Sequence, residues 1–183
     1  YYLEHPVEII AVLHCCMSFH GGLMGAVLGG VLFCRKRRLP TLEVADTIIV
    51  TAPIALGLGR VGNFINGELY GRPSSVPWAM VFPAGGPIPR HPSQLYEAGL
   101  EGVLLFIVLW GIKGMRLRPG TMVCLFLAGY GILRFLAEFF RQPDPQIGLL
   151  WGVLSMGQML CLAMIFAAVI LWTLLKEKQL DGV

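Results

Sequence analysis

Hydrophobic residues run through this sequence in five long blocks, roughly 17–33, 44–64, 95–112, 122–139 and 151–175, with polar connections between them. A helix that crosses a bilayer needs about 20 mostly apolar residues. Each block meets that length if a few embedded polar residues are allowed. The pattern predicts an all-α membrane protein, a bundle of five transmembrane helices forming a single integral membrane domain over residues 1–183.

The connections alternate in charge. Arg35, Lys36, Arg37 and Arg38 follow the first block, Lys113, Arg116 and Arg118 the third, and Lys176 and Lys178 the fifth. The remaining connections hold only Arg72, Arg90 and Arg141, and Arg60 and Arg134 lie inside blocks. Basic residues favour the cytoplasmic side of short loops. The three clusters are therefore expected inside, with residues 1–16, 66–92 and 141–150 outside. The 66–92 loop carries six prolines and Gly85-Gly86, which stops any helix and predicts a compact, turn-rich cap over the bilayer.

Composition agrees with a chain whose solvent is lipid. Only 14% of residues are charged and 56% are hydrophobic, with a mean hydropathy of +0.70. The net charge of +3 is too small to point to a nucleic-acid partner. Cys15, Cys16, Cys34, Cys124 and Cys161 show no metal-ligand spacing and read as small apolar fillers. No signal peptide opens the chain and no Met begins it, so a truncated N-terminus is expected.

The chemistry sits in residues that do not belong in lipid. Arg60 lies in the second block within Gly57-Leu-Gly-Arg-Val-Gly-Asn-Phe-Ile-Asn-Gly-Glu-Leu-Tyr-Gly-Arg72. A charge at membrane depth faces a cavity, a partner or a pathway. The five glycines of this stretch weaken the helix and allow close approach of a backbone or ligand. Arg60 and Asn63 share a helical face, and Asn66, Glu68 and Arg72 follow at the interface. Together they could cradle a phosphate. The alternative is a structural ion pair for Arg60, with Asp46 as one partner, and glycines that serve helix packing.

In the fourth block Tyr130, Arg134 and Glu138 are spaced by four and form one polar stripe. Glu138 could neutralise Arg134, or orient it while its other N–H groups bind an anion. His20 opens the first block, in Met-Ser-Phe-His-Gly-Gly-Leu-Met-Gly. It is either a satisfied interfacial histidine or a general base, since its unperturbed pKa is near neutral. The segment Arg90-His-Pro-Ser-Gln-Leu-Tyr-Glu97 opens the third block. Ser93 is placed to cap that helix and Glu97 to point inward, and the segment reads as structural support.

Taken together, residues 17–25, 59–72 (Gly-Arg-Val-Gly-Asn-Phe-Ile-Asn-Gly-Glu-Leu-Tyr-Gly-Arg), 90–97, 130–138 and 141–144 (Arg-Gln-Pro-Asp) resemble bacterial prolipoprotein diacylglyceryl transferases along essentially the whole chain. The resemblance implies about seven spans in the family, of which about two precede Tyr1 and are absent here. Cys15-Cys16 stand where glycines are expected. The implied reaction moves the diacylglyceryl group of phosphatidylglycerol to the thiol of a lipobox cysteine in a secreted prolipoprotein. A thioether forms and glycerol phosphate leaves, with no metal or organic cofactor. By resemblance Arg60 and Arg134 take the phosphate and headgroup, and His20 is the base. Asn63, Asn66, Glu68 and Gly71 shape the lipid pocket, Tyr130 supports it and Glu138 holds Arg134. The implied location is the bacterial cytoplasmic (inner) membrane, with the site toward the outer leaflet. Two other classes fit less well. A phospholipid phosphodiesterase would need clustered acids for a metal, and a transporter would show paired repeats.

Overall fold

The computed structural model describes residues 19–142, 149–150 and 154–180. The expected outer segment 1–16 and residues 143–148 and 151–153 lie outside the described residues, as do Met17 and Asp144. The chain divides into two compact units, Tyr1–Val44 and Ala45–Val183.

The first unit contains helix α1 (Phe19–Arg37) and the first turn of α2 (Thr41–Ile49). Arg35, Lys36 and Arg37 occupy the last turn of α1, where cations complement the negative end of the helix. Arg38 then adopts a left-handed φ of 55°, and the Leu39 N–H returns to the Cys34 carbonyl at 2.9 Å. Pro40 follows and prevents the helix from continuing.

In the second unit, α2 gives way to α3 (Ala52–Ile65) through a bend of 41°. Pro53 causes it: its ring nitrogen has no hydrogen to give the Ile49 carbonyl one turn back. The second hydrophobic block is thus a broken helix rather than a straight rod. α3 persists through Gly57, Gly59 and Gly62, although glycine weakens a helix, and ends only at Asn66 and Gly67, the latter with φ of 68°.

The third block is one continuous helical run from Ser93 to Ile112. It opens as α4 (Ser93–Glu97), widens into a π-helical segment (Ala98–Leu104) and closes as α5 (Leu105–Ile112). Ser93 does not cap it; its hydroxyl donates to the Leu69 carbonyl at 3.2 Å and ties the run to the cap. α6 (Thr121–Ala137) and α7 (Met156–Leu180) pack closely along their lengths. A two-residue hairpin pairs Leu149–Leu150 with Leu154–Ser155, a small departure from an all-helical chain.

Among the described residues, helix occupies most of each predicted block, beginning at Phe19 in the first, ending at Ala137 in the fourth and beginning at Met156 in the fifth. Among the described residues, Ser93–Ile112 and Met156–Glu177 are long and apolar enough to cross a membrane alone, and the bent α2–α3 pair makes a third if it is one span. At 17 residues, α6 is a shorter apolar helix.

Val50, Leu105, Leu109, Met122 and Phe126 form the buried core between α5, α6 and the start of α3. Asp46 fastens that core at one end. Its two carboxylate oxygens accept the Gly120 and Val123 N–H groups at 2.7 and 3.0 Å, which satisfies the orphan donors at the start of α6. This corrects Asp46 as an ion-pair partner of Arg60: it serves as a capping residue from 74 positions away.

Candidate active site

The cap loop is built around Arg90. Its guanidinium donates to the Gly85 carbonyl from Nε and Nη2, to the Gly71 carbonyl and Gln142 Oε1 from Nη1, and lies 4.9 Å from the Tyr70 ring centre. The Tyr70 hydroxyl donates to the Ala84 carbonyl at 2.9 Å. Gly71 stands at the crossing of three chain segments. A Cβ there would lie 2.6 Å from both the His91 and Phe140 carbonyl oxygens, so no larger residue fits without moving backbone. Gln94 donates to the Glu68 carbonyl at 2.6 Å, and the Glu68 N–H returns to the Asn63 carbonyl at 3.0 Å. These bonds hold the end of α3 against the start of the third block.

Beneath this cap the arginines of α3 and α6 meet. α3 and the π-helical segment cross at a glycine pair: a Cβ on Gly102 would lie 2.7 Å from the Gly57 Cα. Backbone therefore touches backbone, and Arg60, one turn beyond Gly57, is brought onto the carboxylates one and five residues before Gly102. Arg60 Nε lies 2.9 Å from Glu97 Oε2 and 3.7 Å from Glu101 Oε2. Arg134, from α6, reaches the same acids: Nη1 is 2.6 Å from Glu97 Oε2 and 3.3 Å from Glu101 Oε1. Its Nη2 is 3.0 Å from Glu138 Oε2, so the i,i+4 pair on the polar stripe does form. Tyr130, stacked on Phe126, has its hydroxyl beside Arg60.

Glu97 Oε2 is thus shared by both guanidiniums and fixes their separation. The side chains of Glu97 and Glu101 are 1% and 0% exposed, against 17% for Arg60, so the cluster opens on the Arg60 side. Two guanidiniums face three carboxylates. An isolated buried charge would be untenable, but here each has an opposite partner at contact distance. Three carboxylate oxygens of the cluster, Glu97 Oε1, Glu101 Oε2 and Glu138 Oε2, are buried without a hydrogen-bond partner among the described residues. The latter two lie at ion-pair distance from a guanidinium, and Glu97 Oε1 has neither kind of contact.

The predicted residues distribute as follows. Arg60, Arg134, Tyr130 and Glu138 come together in the cluster. Asn63, half-buried on α3, and Asn66 and Glu68, both exposed, lie along the path from Arg60 to the cap, with the Asn66 amide 3.4 Å from Glu68 Oε1. Gly71 is closely packed inside the cap, against the His91 and Phe140 carbonyls. His20 falls in the first turn of α1, and its side chain lies outside the described residues.

Glu101 was missed, and Glu97 was read as support although it touches both arginines. Both sit four apart in an otherwise apolar block, and ionisable residues at membrane depth are themselves a signal of function. The π-helical segment that carries Glu101 is a feature that recurs at functional sites. Among the described residues, no group of three or more His, Cys, Asp or Glu side chains is arranged to hold a metal ion.

Fold and site together define a helical membrane protein with a buried arginine–carboxylate cluster under a proline-rich cap. Residues 1–174 match the prolipoprotein diacylglyceryl transferase family, and the chain belongs to it. Similar relatives are the phosphatidylglycerol–prolipoprotein diacylglyceryl transferases of Desulfotalea psychrophila (51% identical, covering 94% of this chain and 65% of the relative), Rhodospirillum rubrum (52%, covering 98% and 67%) and Geobacter sulfurreducens (51%, covering 98% and 69%). The chain spans about two thirds of the length of these relatives.

Proposed function

We propose that this protein transfers the diacylglyceryl group of phosphatidylglycerol to the thiol of a lipobox cysteine in a secreted prolipoprotein, the first step of lipoprotein maturation. The observation that carries the reading is the pair of guanidiniums from α3 and α6 held together by the buried Glu97 carboxylate, in a chain of this family. A thiolate sulfur attacks the terminal glyceryl carbon, the carbon–oxygen bond to phosphate breaks, and glycerol phosphate departs. Negative charge that grows on the departing oxygen is stabilised by donors already in place. Arg60 and Arg134 fill that role, with Asn63, Asn66, Glu68, Gly71, Tyr130 and Glu138 as the remaining lipid-binding residues. The unpartnered Glu97 Oε1 suits a hydroxyl of the glycerol headgroup.

The thiol must lose its proton before attack. His20 is the base in this reading, at the outer end of α1. No metal or organic cofactor enters any step. The protein spans the bacterial cytoplasmic membrane five times within this chain, with residues 66–92 as an extracytoplasmic cap and the site toward the outer leaflet.

The test is mass spectrometry of a lipobox peptide incubated with the intact protein and phosphatidylglycerol. A mass gain of one diacylglyceryl group on the cysteine, with release of glycerol phosphate, is expected. An unmodified peptide, or cleavage of the lipid without transfer, would reject the assignment.

A further inference from the structure

The cluster is anchored at an end that the proposed reaction does not use. Glu138 follows α6 and binds Arg134 through Oε2. Its other oxygen, Oε1, accepts the Ser155 hydroxyl at 3.0 Å, and Ser155, Glu138 and Gln158 are all nearly fully buried. Ser155 begins α7. Its Oγ accepts the Gln158 N–H at 3.2 Å while Gln158 Oε1 accepts the Ser155 N–H at 3.0 Å. This reciprocal pair is a capping box, which satisfies two otherwise orphaned donors. The Ser155 oxygen is engaged by the cap, so its one proton is directed outward, at Glu138.

A second, independent feature points the same way. Gly157 lies against the same carboxylate: a Cβ there would fall 2.8 Å from Glu138 Cδ and Oε1 and 3.0 Å from Oε2. The first turn of α7 is therefore shaped around the Glu138 carboxylate as well as capped. Lower down, Gly131 of α6 approaches the Cys161 carbonyl and Ile165 closely enough to keep the two helices at that spacing.

We propose that Ser155 is a positioning residue for the proposed transfer: its hydroxyl orients Glu138, Glu138 orients the Arg134 guanidinium, and the capped start of α7 thereby sets the phosphate-binding geometry. The inference rests on the function proposed above and assigns a role to the start of α7.

The two duties of Ser155 are separable. Glycine is nearly as good an N-cap as serine, whereas alanine costs about 1 kcal/mol more, and threonine keeps both cap and hydroxyl. If Ser155 only caps α7, Ser155→Gly will resemble Ser155→Thr, and Ser155→Ala alone will suffer. If Ser155 positions Glu138, Gly and Ala will fall together, since both lack the donor.

The intact protein in detergent would be assayed in three ways: thermal unfolding, transfer to a lipobox peptide, and retention of phosphatidylglycerol in native mass spectrometry. Expected is a melting temperature of Ser155→Gly close to that of Ser155→Thr. Its transfer and lipid retention, like those of Ser155→Ala, should drop roughly tenfold or more, the scale of a lost hydrogen bond to a charged group. Ser155→Thr should lose least. Gly tracking Thr in both functional readouts would overturn the positioning role, as would wild-type behaviour in all three variants. A wild-type protein that retains the lipid without transferring it would reject the reaction instead, and lipid retention would still decide the role of Ser155. A wild type that does neither would sink both.

Discussion

Gly57 and Gly102 touch backbone to backbone, and this contact sets the depth at which Arg60 meets Glu97 and Glu101. Neither glycine is needed for a special dihedral angle; both sit in helix. Their value is the missing side chain, which lets α3 and the π-helical segment approach without interposed atoms. Gly102→Ala should therefore spread the two helices and destabilise by about 1–3 kcal/mol, the range for overpacking. Transfer activity should fall further than the loss of folded protein explains. A variant that melts early yet transfers normally, per folded molecule, would mean that the cluster does not depend on this crossing.

Arg134 engages carboxylates through two different nitrogens, and Arg60 holds Glu97 through Nε. A lysine has one ammonium and cannot span two partners in a plane. Arg60→Lys and Arg134→Lys should each reduce transfer by roughly a hundredfold or more. Arg72, exposed and donating from Nε to the Arg141 carbonyl at 3.0 Å, should tolerate lysine best. Lysine variants of Arg60 and Arg134 that work nearly normally would show that charge alone matters and that the shared geometry does not.

If His20 takes the thiol proton, His20→Gln should slow transfer by roughly a hundredfold or more while phosphatidylglycerol is still retained. Raising the pH toward about 8.5 should return part of the rate, because the thiol then ionises without help. An active His20→Gln protein at neutral pH would make His20 structural. Loss of lipid retention without recovery at high pH would place it in the headgroup site.

Orientation can be checked by single cysteines in a cysteine-free background and a membrane-impermeant label. Ser75→Cys, in the cap, should label in intact cells, and Lys36→Cys should label only after permeabilisation. The reverse pattern would invert the topology and with it the outward-facing site.

The sequence by itself determined the solvent and the positions of the helices. Length, apolar content and the alternation of basic clusters are summed properties, and helix forms over most of each of the five blocks among the described residues. In a membrane, helix is the way a single segment satisfies its own backbone groups. It also determined which residues are costly enough at that depth to need a reason, Arg60, Arg134 and Glu138 among them. The glycines around Arg60 did not break α3; the bend came earlier, at Pro53.

What only the tertiary structure decided are the partners. Asp46 caps α6 instead of pairing with Arg60, and Ser93 bonds the cap loop rather than its own helix. Glu101, a single acid in an apolar run, turns out to face both arginines through a π-helical segment that no period in the sequence announces. Periodicity fixes which face of one helix a residue occupies, and it is silent on which helix lies opposite. That choice follows from where backbones can approach, at Gly57 and Gly102 and at Gly131 and Cys161, and from the mutual attraction of charges that lipid would not tolerate alone.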